Sequence, residues 1–371
     1  MKSQQPLRVL VVDDTIVYRK IVSDILEGLP DVEVVGVAHN GKIAMSKIAS
    51  LKPDLLTLDI EMPEMNGLEV LAELKKEAPD VGAIVLSTLT QKGGDMTMKA
   101  LDLGAFDFIP KPETKSMEES KAEVKNAITP MFKAFARRRE VQNILKGKKQ
   151  IDPSSASANS ARETQSIADR MSAIRGGKST KSEIVGIGIS TGGPNALAKM
   201  LPSLPANLNV PVLIVQHMPP VFTNSLAKSL DARCALEVKE ASDGEPLMPN
   251  KILIAPGGKQ MKVVAGLDGT TRIVRVNDDP PENSCRPSVD YLFRSIAHHY
   301  VGRATGVIMT GMGADGTKGL QLMKRNGAAV IAQDETSCVV YGMPKEAVDA
   351  NVVDVVVPLD KIAQEIADTV R

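Results

Sequence analysis

A serine at the end of an apolar run is the first residue whose surroundings suit chemistry. Residues 183–189 are rich in Ile and Val and too short for a helix, so they predict a buried strand that ends at Ser190. Gly192 and Gly193 allow a tight turn, and Pro194 suits the first turn of a following helix. A side chain on such a strand-to-helix turn stands clear of the sheet, where a nucleophile is expected.

Two other interpretations of this turn stay open. A serine among glycines is also a common helix cap, and a Gly-rich turn after a strand also binds phosphate groups. The spacing from Gly188 to Gly192 does not fit G-x-G-x-x-G, and no Asp or Glu directly follows the next strand, residues 210–216. A dinucleotide site is therefore not favoured, whereas a phosphate-binding or partner-binding module remains the alternative to an enzyme.

A histidine and an aspartate follow two further strands of the same half. His217 ends the strand at 210–216, and Asp315 lies in a Gly-rich turn after the strand at 306–310. Three strand-end loops of one sheet give the geometry of a triad, in which His217 takes the Ser190 proton and Asp315 orients the imidazole. The Met312 backbone N–H is a candidate oxyanion donor. The order Ser, His, Asp differs from that of α/β-hydrolases.

The first half alternates strands and amphipathic helices five times. Strands are predicted near residues 8–12, 32–37, 54–58, 83–86 and 106–109, which indicates a doubly wound parallel sheet. Such sheets gather their chemistry at the carboxyl ends of the strands. Five polar groups stand at those ends: Asp13, Asp14, Asp59, Ser87 and Lys111.

Grouped carboxylates predict a bound cation, because acids held this close repel one another. Oxygen ligands favour Mg²⁺. With the metal and Lys111 neutralising phosphate oxygens, Asp59 is placed to attack a phosphoryl donor and to carry an acyl phosphate. Single residues here also have ordinary explanations, such as Asp13 capping a helix.

Composition limits the remaining classes of function. The 371 residues carry 45 Lys and Arg against 45 Asp and Glu, so no global charge attracts nucleic acid or anionic lipid. The basic run at 137–139 is interpreted as a solvated helix face, and no nucleic-acid partner is expected. No run is apolar enough for a signal peptide or a membrane span, so a cytoplasmic protein without membrane insertion is expected. Three cysteines without C-x-x-C spacing are interpreted as buried thiols.

The N-terminal half resembles the receiver domain of bacterial two-component response regulators over about 120 residues. The resemblance implies a flavodoxin-like (βα)5 fold with Asp59 as phosphoacceptor. It assigns Mg²⁺ binding to Asp13 (through water), Asp14, Asp59 and the Glu61 carbonyl. It assigns the phosphorylation switch to Ser87, Phe108 and Lys111. Phe108 stands where Tyr is commoner, so it lacks a hydroxyl for partner contacts.

The C-terminal half resembles the chemotaxis protein-glutamate methylesterases over about 185 residues. The resemblance lies in the segments around Ser190, Gln216-His217-Met218, 286–290, 311–316 and 341–344. It implies hydrolysis of glutamyl methyl esters and deamidation of glutamines on chemoreceptor cytoplasmic helices. It makes Ser190 the nucleophile, His217 the base and Asp315 its partner, with Thr191 and Met312 lining the site. Gln260 stands where many relatives have His.

Together these patterns predict three segments. Residues 1–130 form the receiver, 131–181 a helical extension and flexible linker, and 182–371 a doubly wound, mostly parallel α/β serine hydrolase domain with a β-rich insertion. The expected partners are a chemotaxis histidine kinase and methyl-accepting chemoreceptors. Mg²⁺ serves phosphorylation, and no cofactor is expected for hydrolysis. The unphosphorylated receiver is expected to cover the triad. A general esterase is the third alternative.

Overall fold

Two parallel sheets organise the chain. The computed structural model describes residues 6–112, 116–148 and 181–371. A five-stranded sheet is built from the first of these segments and a seven-stranded sheet from the last. Strands and helices alternate through both, so the predicted α/β class is confirmed.

The N-terminal sheet has the strand order of a flavodoxin-like fold. Its strands are β1 (Leu7–Val12), β2 (Val32–Ala38), β3 (Leu55–Asp59), β4 (Gly82–Ser87) and β5 (Asp107–Pro110). Its helices are α1 (Ile16–Glu27), α2 (Gly41–Leu51), α3 (Gly67–Glu77) and α4 (Gln91–Asp102). The order β2-β1-β3-β4-β5, with every pairing parallel, places the ends of β1 and β3 side by side. The acids that follow these two strands therefore meet at one edge.

One long helix follows the N-terminal sheet, and its arginines contact residues that are distant in sequence. Helix α5 spans Met117–Lys148. The Arg138 guanidinium lies over the Phe106 ring, 5.7 Å from its centroid, and Arg139 Nη1 lies 2.6 Å from Asp54 Oδ2. Arg137 pairs with Glu335 of the C-terminal half. Arg137 and Arg138 are exposed and Arg139 is half-buried, so the predicted solvated face is confirmed for this run. The partners, which lie in three strand-connecting segments distant in sequence, were not predicted.

The C-terminal sheet is entirely parallel. Its strands are β6 (Ile184–Ile189), β7 (Val212–Gln216), β8 (Glu237–Glu240), β9 (Lys251–Ile254), β12 (Ala304–Ile308), β13 (Ala329–Gln333) and β14 (Val355–Val357). Its helices are α6 (Gly193–Met200), α7 (Phe222–Asp231), α8 (Val289–His299), α9 (Thr317–Arg325), α10 (Met343–Asp349) and α11 (Leu359–Val370), with a 3-10 turn at Leu201–Ser203. The order is β14-β13-β12-β6-β7-β9-β8. Strand order reverses between β6 and β12, which is where such sheets place a site.

The segment interpreted as a β-rich insertion divides into two parts. Strands β8 and β9 pair in parallel with each other, and β9 pairs with β7, so they extend the main sheet at its edge. A separate antiparallel hairpin is formed by β10 (Gln260–Ala265) and β11 (Arg272–Asn277). Only this hairpin is an insertion, because short strands bounded by turns do not reveal in the sequence which neighbours they pair with.

Buried aliphatic side chains hold both sheets. All six residues of β6 and all five of β7 and β12 are buried, as expected for strands covered by helices on both faces. The buried cluster of the N-terminal sheet continues into that of the C-terminal sheet, so the two halves share packed surface. The linker predicted within 131–181 falls mostly outside the described residues, which resume at Lys181. Among the helices described, none has the length and apolar character that crossing a membrane requires.

Candidate active site

The turn after β6 presents Ser190 at the switch point of the C-terminal sheet. The Ser190 N–H donates to the Thr310 carbonyl at 2.9 Å, and the Ser190 carbonyl accepts from the Gly193 N–H at 2.8 Å. Gly192 has φ +75°, and a Cβ there would lie 2.5 Å from Val339. Only glycine fits this position without strain, which explains why the chain turns sharply into α6 at this point.

His217 lies beside Ser190 because the two strands that carry them are in register. Ile189 pairs with Gln216 across β6 and β7, so the next residue on each strand is Ser190 and His217. The His217 N–H donates to the Ile189 carbonyl at 3.2 Å. The Gln216 side-chain amide donates to the Ser190 carbonyl at 2.9 Å and thereby fixes the serine turn to the histidine strand.

The imidazole of His217 is bonded to Asp315. His217 Nε2 lies 2.8 Å from Asp315 Oδ2, and the two side chains are 15% and 3% exposed. Burial disfavours the imidazolium, but hydrogen bonding to Asp315, together with the nearby Cys285, raises the pKa of His217 to about 9. The structure therefore holds a carboxylate against the ring in the manner that stabilises a protonated histidine.

Asp315 is itself held by a dense set of donors. Its Oδ1 accepts from the Asn283 amide, the Ser288 hydroxyl and the Asp290 N–H, at 2.9, 2.9 and 3.1 Å. Its Oδ2 also accepts from the Val289 N–H at 2.7 Å. Burial raises the pKa of Asp315, but the bonds to His217 and to the backbone outweigh burial and bring it down to about 2. Asp315 is ionised at neutral pH.

Ser190 and His217 are neighbours without a hydrogen bond between their side chains. Among the described residues, the Ser190 hydroxyl donates to no imidazole nitrogen, and the free ring nitrogen, Nδ1, faces Cys285 Sγ at 3.8 Å. Bonds between catalytic side chains are often loose in a free enzyme. His217 and Asp315 of the predicted triad are hydrogen-bonded to each other, and the bond from Ser190 to His217 stays a prediction.

Thr191 and Met312 flank the serine. A Cβ on Gly311 would lie 2.7 Å from the Ser190 Cβ, so the loop that carries Met312 passes directly beside the serine. The Met312 side chain is 52% exposed. The Thr191 carbonyl accepts from the Thr310 hydroxyl at 3.0 Å, which links the serine turn to the end of β12.

A strap at residues 280–288 completes the site, although no role is predicted for it from the sequence. Gln260 is fully buried: its Oε1 accepts from the Ser288 N–H at 2.9 Å, and its amide donates to the Pro280 carbonyl at 3.1 Å. Asn283 and Ser284 both have positive φ, an uncommon backbone for these residues. The sequence did hold a sign that the strap belongs to the site, since Cys285 directly precedes the Arg-Pro-Ser-Val-Asp segment that carries the family resemblance.

The three cysteines, Cys234, Cys285 and Cys338, are all half-buried. Their interpretation as buried thiols is therefore wrong.

A second cluster lies at the edge of the N-terminal sheet. Lys111 Nζ lies 2.9 Å from Asp13 Oδ2 and 2.8 Å from Asp59 Oδ2, and both acids are buried. Burial raises the pKa of Asp59 to about 6 despite the lysine. The pKa of Lys111 is raised, since attraction to the two carboxylates outweighs its burial.

The donor set of this cluster fits Mg²⁺. Carboxylate oxygens of Asp13, Asp14 and Asp59 lie within 4.8 Å of one another, and Asp14 is exposed. Clustered oxygen ligands with one side open to water are what Mg²⁺ prefers. The Glu61 side chain pairs with Lys92 at 2.9 Å instead of joining the cluster. The assignment of the Glu61 carbonyl to the metal stays a prediction.

Ser87 and Phe108, two of the three predicted switch residues, lie between this cluster and the other half of the chain. The Ser87 hydroxyl is buried and donates to the Gly93 carbonyl at 3.1 Å. The Phe108 ring is buried and stacks on Phe222, with 4.8 Å between centroids and 29° between planes. Phe222 begins α7, the helix that follows His217. The Phe108 ring of the N-terminal sheet thus packs directly on the first residue of the helix that follows His217.

Polar contacts between α4 and α7 reinforce this packing. The Ser225 hydroxyl donates to Asp95 Oδ1 at 2.6 Å and accepts from the Gln91 amide at 3.0 Å. A Cβ on Gly94 would lie 2.8 Å from the Ser225 hydroxyl, so the helices approach at a glycine. The Asn195 amide of α6 donates to the Ala105 carbonyl at 3.0 Å. The N-terminal half therefore contacts α6 and α7, the helices that follow Ser190 and His217.

The fold and the two sites define a class, a response regulator joined to an α/β enzyme domain. A family model described as the response regulator receiver domain matches residues 9–122, and one described as CheB methylesterase matches residues 185–366. A Desulfotalea psychrophila protein named protein-glutamate methylesterase/protein-glutamine glutaminase is 58% identical over 98% of this chain and 99% of its own length. The chain belongs to the family of protein-glutamate methylesterases/protein-glutamine glutaminases.

Two further proteins are similar to this chain. A Clostridium acetobutylicum protein of the same name is 42% identical over 99% of both chains. The crystal structure of the Thermotoga maritima CheB methylesterase catalytic domain is 41% identical to the part of this chain that it matches. It covers 51% of this chain and 99% of its own, with a TM-score of 0.49.

Proposed function

We propose that the chain is a phosphorylation-activated serine hydrolase of chemotaxis adaptation. Its substrates are glutamyl methyl esters, and particular glutamines, on the cytoplasmic helices of methyl-accepting chemoreceptors. The observation that carries the proposal is the His217–Asp315 bond beside the Ser190 turn. A chemotaxis histidine kinase supplies the phosphoryl group to Asp59.

In the proposed reaction, His217 Nδ1 removes the Ser190 proton while Asp315 stabilises the imidazolium through Nε2. The Ser190 oxygen bonds to the ester carbonyl carbon, and the carbon–oxygen bond to the methoxy group breaks. The imidazolium returns its proton to the departing methanol. Water, activated by the same imidazole, then cleaves the acyl-serine to the glutamate product. With a glutamine substrate, the leaving group is ammonia.

The oxyanion of each tetrahedral intermediate needs donors beside Ser190. We assign the Met312 N–H and the Thr191 segment to this role, since the two flank the serine. Loss of one oxyanion donor typically costs about 10²–10³ in rate. Apart from the water that cleaves the acyl-serine, the hydrolysis as proposed uses side chains and N–H groups of this chain.

Phosphorylation uses the other cluster. Asp13, Asp14, Asp59 and the Glu61 carbonyl would hold Mg²⁺, which when bound neutralises phosphoryl oxygens. The Asp59 carboxylate attacks the donor phosphorus, the phosphorus–nitrogen bond to the kinase histidine breaks, and the imidazole leaves. Lys111 then pairs with the phosphoryl oxygens instead of with two carboxylates. The Ser87 hydroxyl then turns to the phosphoryl group, and Phe108 follows it. Because Phe108 stacks on Phe222, this movement loosens the contact with the hydrolase half.

We assign residues 1–130 to the receiver, 131–181 to the helical extension and linker, and 182–371 to the hydrolase. We also propose that the protein acts in the cytoplasm. Pairing of the α5 arginines with partners of this chain supports the absence of a nucleic-acid role.

Methanol release from methylated receptor membranes tests the proposal. Ser190→Ala is expected to lower the rate by about 10⁴–10⁶ and to abolish labelling by a fluorophosphonate, which reacts only with an activated serine. Ser203→Ala is a matched control, because Ser203 lies on the surface beyond α6. Survival of most activity in Ser190→Ala would rule out the nucleophile. Labelling of Ser190 without methanol release would point to a general esterase.

A further inference from the structure

A thiol, an imidazole and a carboxylate converge at the serine site. The ligand atoms of Cys285, His217 and Asp315 all lie within 4.8 Å of one another. The mechanism proposed above gives no role to Cys285. Its position is nevertheless fixed: its N–H donates to the Glu282 carbonyl at 2.8 Å, and its carbonyl accepts from the Glu282 N–H at 3.0 Å and from the Gln260 amide at 3.4 Å.

The distance between the thiol and the imidazole matches two ligands of one metal ion. Cys285 Sγ lies 3.8 Å from His217 Nδ1, which is long for a strong hydrogen bond. Zinc binds sulfur at about 2.3 Å and imidazole nitrogen at about 2.0–2.1 Å, so two ligands of one tetrahedral zinc stand roughly 3.6 Å apart. Little movement would bring both atoms onto one cation.

Asp315 supports such a site from behind the imidazole. It accepts from His217 Nε2, so Nδ1 is the ring nitrogen that faces the thiol. Metal-binding histidines usually donate their second nitrogen to a carboxylate in this way. Asp315 is unsuited to direct ligation, because both of its oxygens already accept several hydrogen bonds.

We propose that His217 Nδ1 and Cys285 Sγ form an inhibitory site for a thiophilic divalent cation of the Zn²⁺ type. A sulfur and nitrogen donor pair selects such a cation over Mg²⁺, which prefers oxygen. Binding releases the protons of the thiol and of Nδ1 in the imidazolium and forms one sulfur–metal and one nitrogen–metal bond, while water fills the remaining positions. The inhibition rests on the proposed function, because the bound cation occupies the nitrogen that must take the Ser190 proton. The binding itself does not.

Cobalt(II) titration of the full-length chain tests binding without any assay of hydrolysis. The experiment is run with saturating Mg²⁺, which occupies the oxygen cluster around Asp59. A thiolate-to-cobalt charge-transfer band is expected in the near ultraviolet, and Zn²⁺ should displace it. Cys285→Ser should abolish the band and weaken zinc binding at least tenfold, and His217→Gln should weaken it similarly. Cys234→Ser, another half-buried thiol, should retain the band.

Alkylation of the unsubstituted chain gives a second measurement that does not depend on how Cys285→Ser folds. Zn²⁺ should protect Cys285, but not Cys234, from iodoacetamide in peptide mass spectrometry. Absence of the band, its retention in Cys285→Ser, or equal alkylation of Cys285 with and without zinc would overturn the site. Ser190→Ala should bind cobalt as the unsubstituted chain does. Cobalt binding without zinc inhibition of methanol release would refute the inhibitory role while leaving the site.

Discussion

The Asp107 carboxylate of the N-terminal half accepts a hydrogen bond from the Gly192 N–H at 2.9 Å, in the turn that carries Ser190. Its other oxygen accepts from the Phe108 N–H at 2.9 Å. Asp107 is almost wholly buried, and burial raises its pKa to about 6 in spite of these two bonds. The receiver therefore contacts the serine turn through the Asp107 carboxyl group, and burial in this contact disfavours its ionised form.

We call the arrangement closed when the receiver packs against the serine turn, and open when it does not. The bond between Asp107 and Gly192 predicts that the closed state becomes less stable as pH rises. A group whose pKa is raised on burial stabilises the closed state below its ordinary pKa of 3.8, and that stabilisation is lost as pH rises through about 6. With Asp107 at its ordinary pKa in the open state, the closed-to-open ratio should fall roughly tenfold between pH 5 and 7. The measurement is the rate of the unphosphorylated chain divided by that of a 181–371 fragment, which cancels titration of the hydrolase groups. Asp107→Asn should flatten this ratio. A ratio that stays constant with pH in the unsubstituted chain would exclude the coupling.

The ring pair between the two halves predicts a rise in basal activity when it is removed. Phe108→Ala loses the stack on Phe222, and such pairs contribute about 1 kcal/mol, or roughly fivefold in the closed-to-open ratio. Methanol release by the unphosphorylated chain should rise accordingly. Phe106→Ala is the matched control, since the Phe106 ring packs edge-on against Phe135 of α5 instead of against a ring of the hydrolase half. An equal rise in both variants would assign the effect to general loosening of the receiver.

Lys111 is predicted to be required for the response to phosphorylation and not for hydrolysis. Lys111→Gln removes the cation between Asp13 and Asp59 and leaves the two buried carboxylates uncompensated. Activation by a small phosphodonor should be lost, while the rate of the unphosphorylated chain stays within about twofold. Lys92→Gln removes an exposed lysine that pairs with Glu61 near the same site, and it should retain activation. Full activation of Lys111→Gln would contradict the role of the lysine.

Gln260 is predicted to act through the strap that surrounds Asp315. Gln260→Leu leaves the buried Ser288 N–H without its acceptor and removes the donor to the Pro280 carbonyl, which should cost about 1–3 kcal/mol of stability in the hydrolase half. The value of kcat should fall more than KM rises, because Ser288 and Asn283 position Asp315. Gln260→His keeps a donor and an acceptor and should retain most activity. Chemical denaturation and initial rates on the two variants check this, and equal behaviour of Leu and His would refute it.

The sequence predicted those features that depend on local pattern. Ser190, His217 and Asp315 each follow an apolar strand, and parallel strands bring their carboxyl ends to one edge, so the position of the site was predictable. The acid cluster around Asp59 was predictable for the same reason. Fold class followed from the alternation of strands and helices, which is set within short windows.

Features that depend on distant partners were not predictable. The contact between Asp107 and the Gly192 turn joins residues 85 positions apart, so nothing in the sequence around β5 indicates it. The contact between Cys285 and His217 forms only because the strap turns back toward the end of β7. Strands β8 and β9 look like an insertion, since their pairing with β7 leaves no mark in their own composition. In each case the deciding interaction crosses between elements that are far apart in the chain.

The most direct test of the central claim is methanol release by the full-length chain with and without a small phosphodonor and Mg²⁺, beside Asp59→Asn and the 181–371 fragment. The account predicts that the phosphodonor raises the full-length rate toward that of the fragment, and that it changes neither Asp59→Asn nor the fragment. A full-length, unphosphorylated rate already equal to that of the fragment would contradict control of Ser190 by the receiver.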